Sequence, residues 1–426
     1  MNNVLFISYF WPPSGKASLH WPLFIIKHLP KHGWLPSVLT VDEDSFSHKD
    51  ESLMDAVGKE ITVVKTSANE PFDLYRKFLG KNSDTPLIAS ETISLNSTDW
   101  KHRLAIWIRM NLFVPDARIG WYFSAVNGGK GLIASQRPKA IVSIGPPHSS
   151  HLIGKKLSVK YGIPHIPVLI DPWVDIVYYK DFKRNPITLA LDRHFERSTL
   201  KHARRIVFVT QSAREEYVKK YPWIEKKSHV LYWGYNEENF TNEIIPKRDN
   251  KQEVILHAGN IFDYQNPEGL WKNIRSEIDR GRNLRLRFVG TVSPGIKRSV
   301  AAAGLDAHTD FVGFLPYHEV VKEMLNASYL IVCATEKRHV PGKLFEYLRT
   351  GNRIIAFGDD NSEVGGILQQ ANAGILLPYN YQQNDMFEQL RSCFPNPSIA
   401  VQFSREQIAG QLSTILNDLT LEASNL

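Results

Sequence analysis

One stretch decides the fold: Tyr329-Leu-Ile-Val-Cys-Ala334, then Val340-Pro-Gly-Lys-Leu-Phe-Glu-Tyr-Leu348, then Arg353-Ile-Ile-Ala356. Two short apolar runs, rich in β-branched residues, flank a segment of helical period opened by Pro341 and Gly342. Runs that are apolar throughout, rather than alternating, belong to strands buried on both faces, as in parallel sheets covered by helices. The same rhythm continues outward through Val254–Ala258, Leu286–Val289, Thr309–Val312 and Gly374–Leu376. It also runs through the first half, at Val4–Tyr9, Pro36–Val41, Ile61–Val64, Ala140–Ile144, His165–Ile170 and Arg205–Thr210. Helical patterns at Leu19–His32, Ser149–Tyr161 and Ser212–Tyr221 lie between those strands. The chain therefore reads as two doubly wound α/β sheets in series. Their boundary is expected in the polar stretch Asn236–Gln252. Phe403–Leu419 reads as a closing amphipathic helix with Ile408, Leu412, Ile415 and Leu416 on one face, and the weakly patterned Ser45–Asp99 as long loops.

Composition bounds the answer further. With 426 residues, 43% hydrophobic and 22% charged, the chain has the make-up of a folded enzyme of two or three domains. Two cysteines, Cys333 and Cys393, exclude a disulfide scaffold and a cysteine-ligated zinc site. The N-terminus lacks the basic start of a secretory leader, and no stretch approaches the ~20 apolar residues of a spanning helix. The expected location is the cytoplasm, or a peripheral position on the inner face of the plasma membrane. Charge is uneven: residues 1–240 carry a net +9 and residues 241–426 a net −2. An anionic partner for the first half, or merely solvated faces, accounts for this.

In doubly wound sheets, ligands gather at the carboxyl ends of the strands. There the second half places Gly259-Asn260, Gly290-Thr291 and Gly313-Phe314 after three successive strands, a pattern of either close backbone approach to a ligand or ordinary turns. Pro341 and Gly342 open a helix whose free N–H groups make an anion site. Lys343 adds a full positive charge, and Glu346, one helical step on, can accept hydrogen bonds from sugar or ribose hydroxyls. A capped helix with an i,i+3 ion pair uses the same residues. In the first half, Pro12-Pro13-Ser14-Gly15-Lys16 forms a turn before a helix that can meet a phosphate, although Phe10 stands where a Walker loop has its first glycine. His148 and His151 follow Ala140–Ile144; they suit a place facing the presumed crevice, or plain capping with Ser149 and Ser150. No ligand cluster accompanies them, so no metal site is expected. Asp171 ends the strand His165–Ile170 and can orient or deprotonate an acceptor hydroxyl, or hold a turn.

Taken together, Ile7-Ser-Tyr-Phe-Trp-Pro-Pro-Ser-Gly15, Ser143-Ile-Gly-Pro-Pro-His-Ser-Ser-His151, Asp171-Pro-Trp173, Val209-Thr-Gln-Ser212 and Val340–Leu348 resemble the family 4 retaining nucleotide-sugar glycosyltransferases. The resemblance spans nearly the whole chain. It implies the GT-B fold, two Rossmann-like domains facing each other across a cleft. Residues 1–240 would bind the acceptor and residues 241–400 the nucleotide sugar, with residues 401–426 a helix packing back toward the first domain. It further implies a metal-independent, hexosyl-type transfer with retention, from a UDP- or GDP-linked sugar to a saccharide or lipid-linked acceptor, in cell-surface polysaccharide or glycolipid synthesis. No separate cofactor is implied.

On that reading, Gly259, Asn260, Gly290, Thr291, Gly313 and Phe314 line the nucleotide. Lys343 and the amides of Pro341, Gly342 and Leu344 meet the phosphates, and Glu346 holds the ribose. Gly15, Lys16, His148, His151 and Asp171 face them from the first domain, with Asp171, His148, His151 and Lys343 as the catalytic set. Two departures stand out. Many members carry a second acid eight residues before the ribose glutamate, where this chain has Arg338. They also carry an Arg and a Lys after the strand placed here at Val254–Ala258, whereas Gly259–Pro267 holds no cation. These departures support an alternative, a catalytically degenerate protein that binds and scaffolds within a polysaccharide-assembly complex. A nucleic-acid partner is not expected, because the basic residues form no recognised motif.

One segment adds a membrane expectation. Residues 101–150 hold seven basic residues and one acid, Asp116. Leu104, Trp107 and Ile108 share a helical face flanked by Arg103 and Arg109, which suits an anionic headgroup interface; the same face would serve as a core helix.

Overall fold

Val4, Leu5, Phe6 and Ile7 have no solvent exposure, and they lie at the centre of the first of two parallel sheets. The computed structural model describes residues 1–68, 100–176, 184–241 and 252–424. The chain divides into two compact units: residues 1–209, 213–231 and 409–426, and residues 210–212 and 232–408. The expected linker at residues 236–252 therefore lies in part outside the described residues, as does most of the loop region expected up to Asp99.

The first unit contains β1 (Asn2–Ile7), β2 (Trp34–Val41), β3 (Thr62–Thr66), β4 (Ala140–Gly145), β5 (His165–Leu169), β6 (Ile206–Phe208) and β7 (Ser228–Val230), all parallel, in the order β3-β2-β1-β4-β5-β6-β7. Register runs from Val4 opposite Ala140 and Pro36, which centres β1 between β4 and β2. Helices α1 (His20–His28), α2 (Trp100–Leu112), α3 (Tyr122–Gln136), α4 (Ser149–Tyr161) and α5 (Pro186–His202) connect the strands, and α6 (Gln211–Lys220) begins in the second unit. Pro30 ends α1 and turns the chain into a short 3₁₀ segment closed by Gly33 at φ 84°, a conformation that favours glycine. Leu5, Ile7, Leu39, Trp121, Ile141 and Leu157 form the core under one face of the sheet.

The second unit contains β8 (Glu253–Ala258), β9 (Leu284–Val289), β10 (Thr309–Gly313), β11 (Tyr329–Cys333), β12 (Arg353–Phe357) and β13 (Gly374–Leu377), parallel, in the order β10-β9-β8-β11-β12-β13. Helices α7 (Glu268–Asp279), α8 (Pro294–Ala302), α9 (Tyr317–Asn326), α10 (Lys343–Thr350) and α11 (Ser362–Gln370) cover its two faces. Every residue of β11 is buried, as its continuous apolar run requires. The last helix, α12 (Arg405–Ser424), buries Ile408, Leu412, Ile415, Leu416 and Leu419. From Ala409 on it is part of the first unit, where the Trp34 indole donates to Asn417 Oδ1 at 3.0 Å.

Candidate active site

In both sheets the strand order reverses at one place, between β1 and β4 in the first and between β8 and β11 in the second. Loops leaving such a switch point in opposite directions open a crevice beyond the carboxyl ends of the strands. Gly15 and Lys16 follow β1, His148 follows β4, Gly259 follows β8, and Lys343 opens the helix after β11.

In the second unit, β8 runs into Gly259 at φ 109° and β9 into Gly290 at φ 112°. A Cβ at Gly290 would lie 2.6 Å from the Gly259 carbonyl oxygen, backbone that cannot yield. The amide of Gly259 donates to Val289 O and that of Gly290 to Gly313 O, each at 2.7 Å. These amides are hydrogen-bonded within the sheet, so any close approach of a ligand at these turns does not use them as donors. Their function is to let the strand ends pack closely. Asn260 accepts the Thr291 amide at 3.1 Å, while Phe314, after Gly313, is largely in solvent.

Gly259 also makes room for Lys343. A Cβ there would sit 2.9 Å from the Lys343 Nζ, so the ammonium lies directly over the turn. Among the described residues it meets His257 Nε2 at 3.4 Å. Burial drives the ammonium below its ordinary range, partly offset by the electrostatic pull of Cys333 and Glu346. The same burial, with Lys343 beside it, keeps His257 neutral; burial also pushes the Cys333 thiol up to about 11, against the pull of the Lys343 charge. Helix α10 is anchored from behind, where Leu344, Phe345, Tyr347 and Leu348 are buried in the core and the Tyr347 hydroxyl accepts the Ala258 amide at 3.0 Å.

This anchoring corrects part of the phosphate site. Pro341 has no amide hydrogen, the Leu344 amide donates to Pro341 O at 2.9 Å, and the Leu344 side chain is core. The amides of Gly342 and Lys343 remain at the helix start. Glu346 is not ion-paired with Lys343 among the described residues; instead Tyr317 donates its hydroxyl to Glu346 Oε1 at 2.6 Å. Burial raises the Glu346 carboxyl, opposed by the Tyr317 hydrogen bond and by the nearby Arg405 and Lys343 charges.

The first unit's turn also differs from expectation. The Ser14 amide donates to Trp11 O and the Gly15 amide to His48 O, both at 2.9 Å, and a Cβ on Gly15 would overlap the His48 ring. Gly15 is thus a packing glycine, and its amide does not face a ligand. Lys16 remains, held below its ordinary range by burial and by the charges of Arg118 and Arg109. Arg118 lies over the Tyr9 ring at 5.1 Å. A basic trio therefore stands beyond β1.

The two histidines divide. His151 is wholly buried, its Nδ1 2.8 Å from Ser143 Oγ, which also meets His165 Nε2 at 2.7 Å. It is a core residue, and the sequence-based expectation that it faces a ligand is corrected. His148 stacks flat on Trp173 at 5.0 Å and is pushed to about 3 by burial, so it is neutral. Neither Ser149 nor Ser150 caps α4. The cap is the half-buried Asp116, whose carboxylate accepts the Ser149 amide at 2.9 Å and its hydroxyl at 2.8 Å. Asp171 follows β5, partly exposed. Burial raises its carboxyl, and among the described residues none hydrogen-bonds it.

Sequence reasoning missed the support beneath Asp171. Two buried carboxylates on α5 hold the next residues: Asp192 accepts the Trp173 indole N–H at 2.8 Å and pairs with Arg184, and Glu196 accepts the Val174 amide at 3.2 Å. Tyr217 bridges them, its hydroxyl accepting the Trp173 amide and donating to Glu196, both at 2.8 Å. The one legible signal was acids on the stripe of α5 that carries Thr188 and Thr199. Among the described residues no three His, Cys, Asp or Glu side chains gather in a metal-holding group.

Residues 239–408 match the model of the family described as glycosyl transferases group 1. No curated protein sequence matches the chain. Among solved structures, the chain is similar to HepE of Anabaena in complex with UDP (13% identity, 98% of this chain and 100% of that one, TM-score 0.62) and to a glycosyltransferase of Rickettsia africae (13%, 98% and 98%, 0.57). It is also similar to a Listeria monocytogenes protein described as a UDP-N-acetylglucosamine 2-epimerase (13%, 99% and 98%, 0.53). At such identities the likeness establishes the fold, which carries more than one chemistry. The two parallel sheets are those of the GT-B fold, and the second of them lies within the residues, 239–408, that resemble the group 1 glycosyl transferases.

Proposed function

We propose that the chain transfers a sugar from a UDP- or GDP-linked donor to a hydroxyl of a saccharide or lipid-linked acceptor, with retention and without a metal, in cell-surface polysaccharide or glycolipid synthesis. The observation that supports it is the Lys343 ammonium over Gly259, beside a neutral imidazole, at the switch point of the second sheet. A buried cation is costly unless an anion meets it, and the leaving diphosphate supplies that charge. Lys343, the Gly342 and Lys343 amides and the positive end of α10 would stabilise the departing phosphate, the main catalytic lever in such a transfer. Ribose hydroxyls would displace Tyr317 from Glu346. In the first unit, Asp171 would orient the acceptor hydroxyl, and Lys16 with Arg109 and Arg118 would meet a phosphate on the acceptor.

A second reading, a binding or scaffold protein without catalysis, is favoured by the place where a cation pair would stand. There Asp263 instead accepts the Gly295 amide at 2.9 Å at the start of α8. Thermal-shift screening against UDP, GDP and their common sugar conjugates tests the donor site. A concentration-dependent rise with one nucleotide series, lost in Lys343→Met, supports it. No shift with any of them sinks both readings.

A further inference from the structure

Helices α2 and α5 meet at Asn111: its side-chain Oδ1 accepts the Asn185 amide at 2.6 Å, and its carbonyl accepts the Thr188 hydroxyl at 2.9 Å. Large apolar side chains stand exposed on either side of that junction. On α2 these are Leu104 at 38%, Trp107 at 49% and Leu112 at 62%; on α5 they are Ile187 at 82% and Leu191 at 41%. Trp107 is therefore not the core residue that a fully packed helix would make it. Scattered exposed leucines are ordinary, but five on two joined helices are a patch.

The charges around the patch have one sign. Helix α2 contains no acidic residue, and Arg103 is exposed on it. Helix α5 contains two, Asp192 and Glu196, and both are buried on its inner stripe with Thr188 and Thr199. Its outer stripe carries Ile187 and Leu191, followed by His194, Arg197 and Lys201, all exposed. By turning their carboxylates inward, these helices present apolar and basic groups without an intervening acid. That combination fits an anionic bilayer surface, where the rings and aliphatic chains enter the headgroup layer and the guanidinium and ammonium groups meet lipid phosphate.

We propose that the exposed faces of α2 and α5 form a lipid-contacting surface that seats the first unit on a bilayer containing anionic lipid. The proposal does not depend on the donor chemistry, and it fits an acceptor presented at a membrane.

The test is co-sedimentation of the full chain with phosphatidylcholine vesicles, with and without phosphatidylglycerol, at low and high salt. The expected result is partitioning that requires phosphatidylglycerol and falls as salt rises. Arg103→Glu with Arg197→Glu should reduce it about tenfold or more, since each basic group near such a surface contributes about fivefold. Trp107→Ser with Ile187→Ser should reduce it independently, while both double variants keep the wild-type melting temperature. No partitioning at low salt overturns the proposal, and so does partitioning that the apolar pair leaves unchanged. Self-association of the free chain that the apolar pair abolishes, without vesicle binding, would make this face a contact between copies instead. Unaltered nucleotide binding in these variants separates failure here from failure of the donor site.

Discussion

Replacing Lys343 with Met should move stability and binding in opposite directions. Met keeps the unbranched stem and the helix propensity of α10 while removing the charge. The ammonium has been taken out of water beside a neutral His257. Its loss should leave the free protein as stable as wild type or more so, by up to about 2 kcal/mol, as when buried charges give way to apolar groups. Nucleotide binding should suffer by the value of a hydrogen bond to a charged group, about 1.5–3 kcal/mol, or roughly tenfold to 150-fold in Kd. The pH dependence fixes the sign. A lysine depressed below its ordinary 10.5 handicaps the folded state while it is charged, so the gap between variant and wild type should be full at neutral pH. It should close as pH rises through the depressed value toward 10.5. Urea unfolding followed by tryptophan fluorescence gives the first quantity, and calorimetric titration with UDP and GDP the second. A variant destabilised by more than about 1 kcal/mol that still binds nucleotide as wild type would refute the reasoning and make Lys343 structural.

Other outcomes follow from particular contacts. Tyr317→Phe frees the Glu346 carboxylate at a stability cost of about 1 kcal/mol, and nucleotide affinity should rise several-fold in titration; a fall would mean that Tyr317 itself binds ligand. Gly290→Ala forces a Cβ toward the Gly259 carbonyl at a positive φ, and denaturant unfolding should show a loss of at least about 2 kcal/mol. His148 and His165, both held at about 3 by burial, should stay neutral from pH 8 to 5 by ring-proton NMR. Their contribution to stability is present above 6.5 and drains away as pH falls toward 3, up to about 5 kcal/mol for each. A ring midpoint near 6.5 would show that these side chains reach solvent.

The strands at the switch points were legible because continuous apolar runs such as Tyr329–Cys333 are dictated by burial on both faces. β7, three residues following the Lys-rich Glu225–Lys227 turn, left no pattern to read. Lys343 and Glu346 were legible as charged residues in the first turn of a helix after a buried strand, which is where they stand on α10. What escaped was the destination of each hydrogen bond. The Gly15 and Leu344 amides find backbone partners, Asp116 reaches α4 across the sequence, and Tyr317 takes Glu346. Apart from the Leu344 amide, which turns back on Pro341 O, these contacts join residues far apart in sequence, and no local periodicity encodes them. His151 was misplaced because its burial depends on Ser143 of β4 and His165 of β5, which only the folded sheet brings together.

The most direct test of glycosyl transfer is release of nucleotide from a nucleotide sugar when water serves as acceptor. The purified chain should slowly convert the UDP- or GDP-linked sugar that it binds into free sugar and nucleoside diphosphate, with the first-formed sugar retaining the donor's anomeric configuration by NMR, and Lys343→Met should abolish the reaction. Tight binding of the same nucleotide sugar with no release, in the wild-type chain with or without acceptor extracts, would contradict catalysis and leave a binding protein on a GT-B fold.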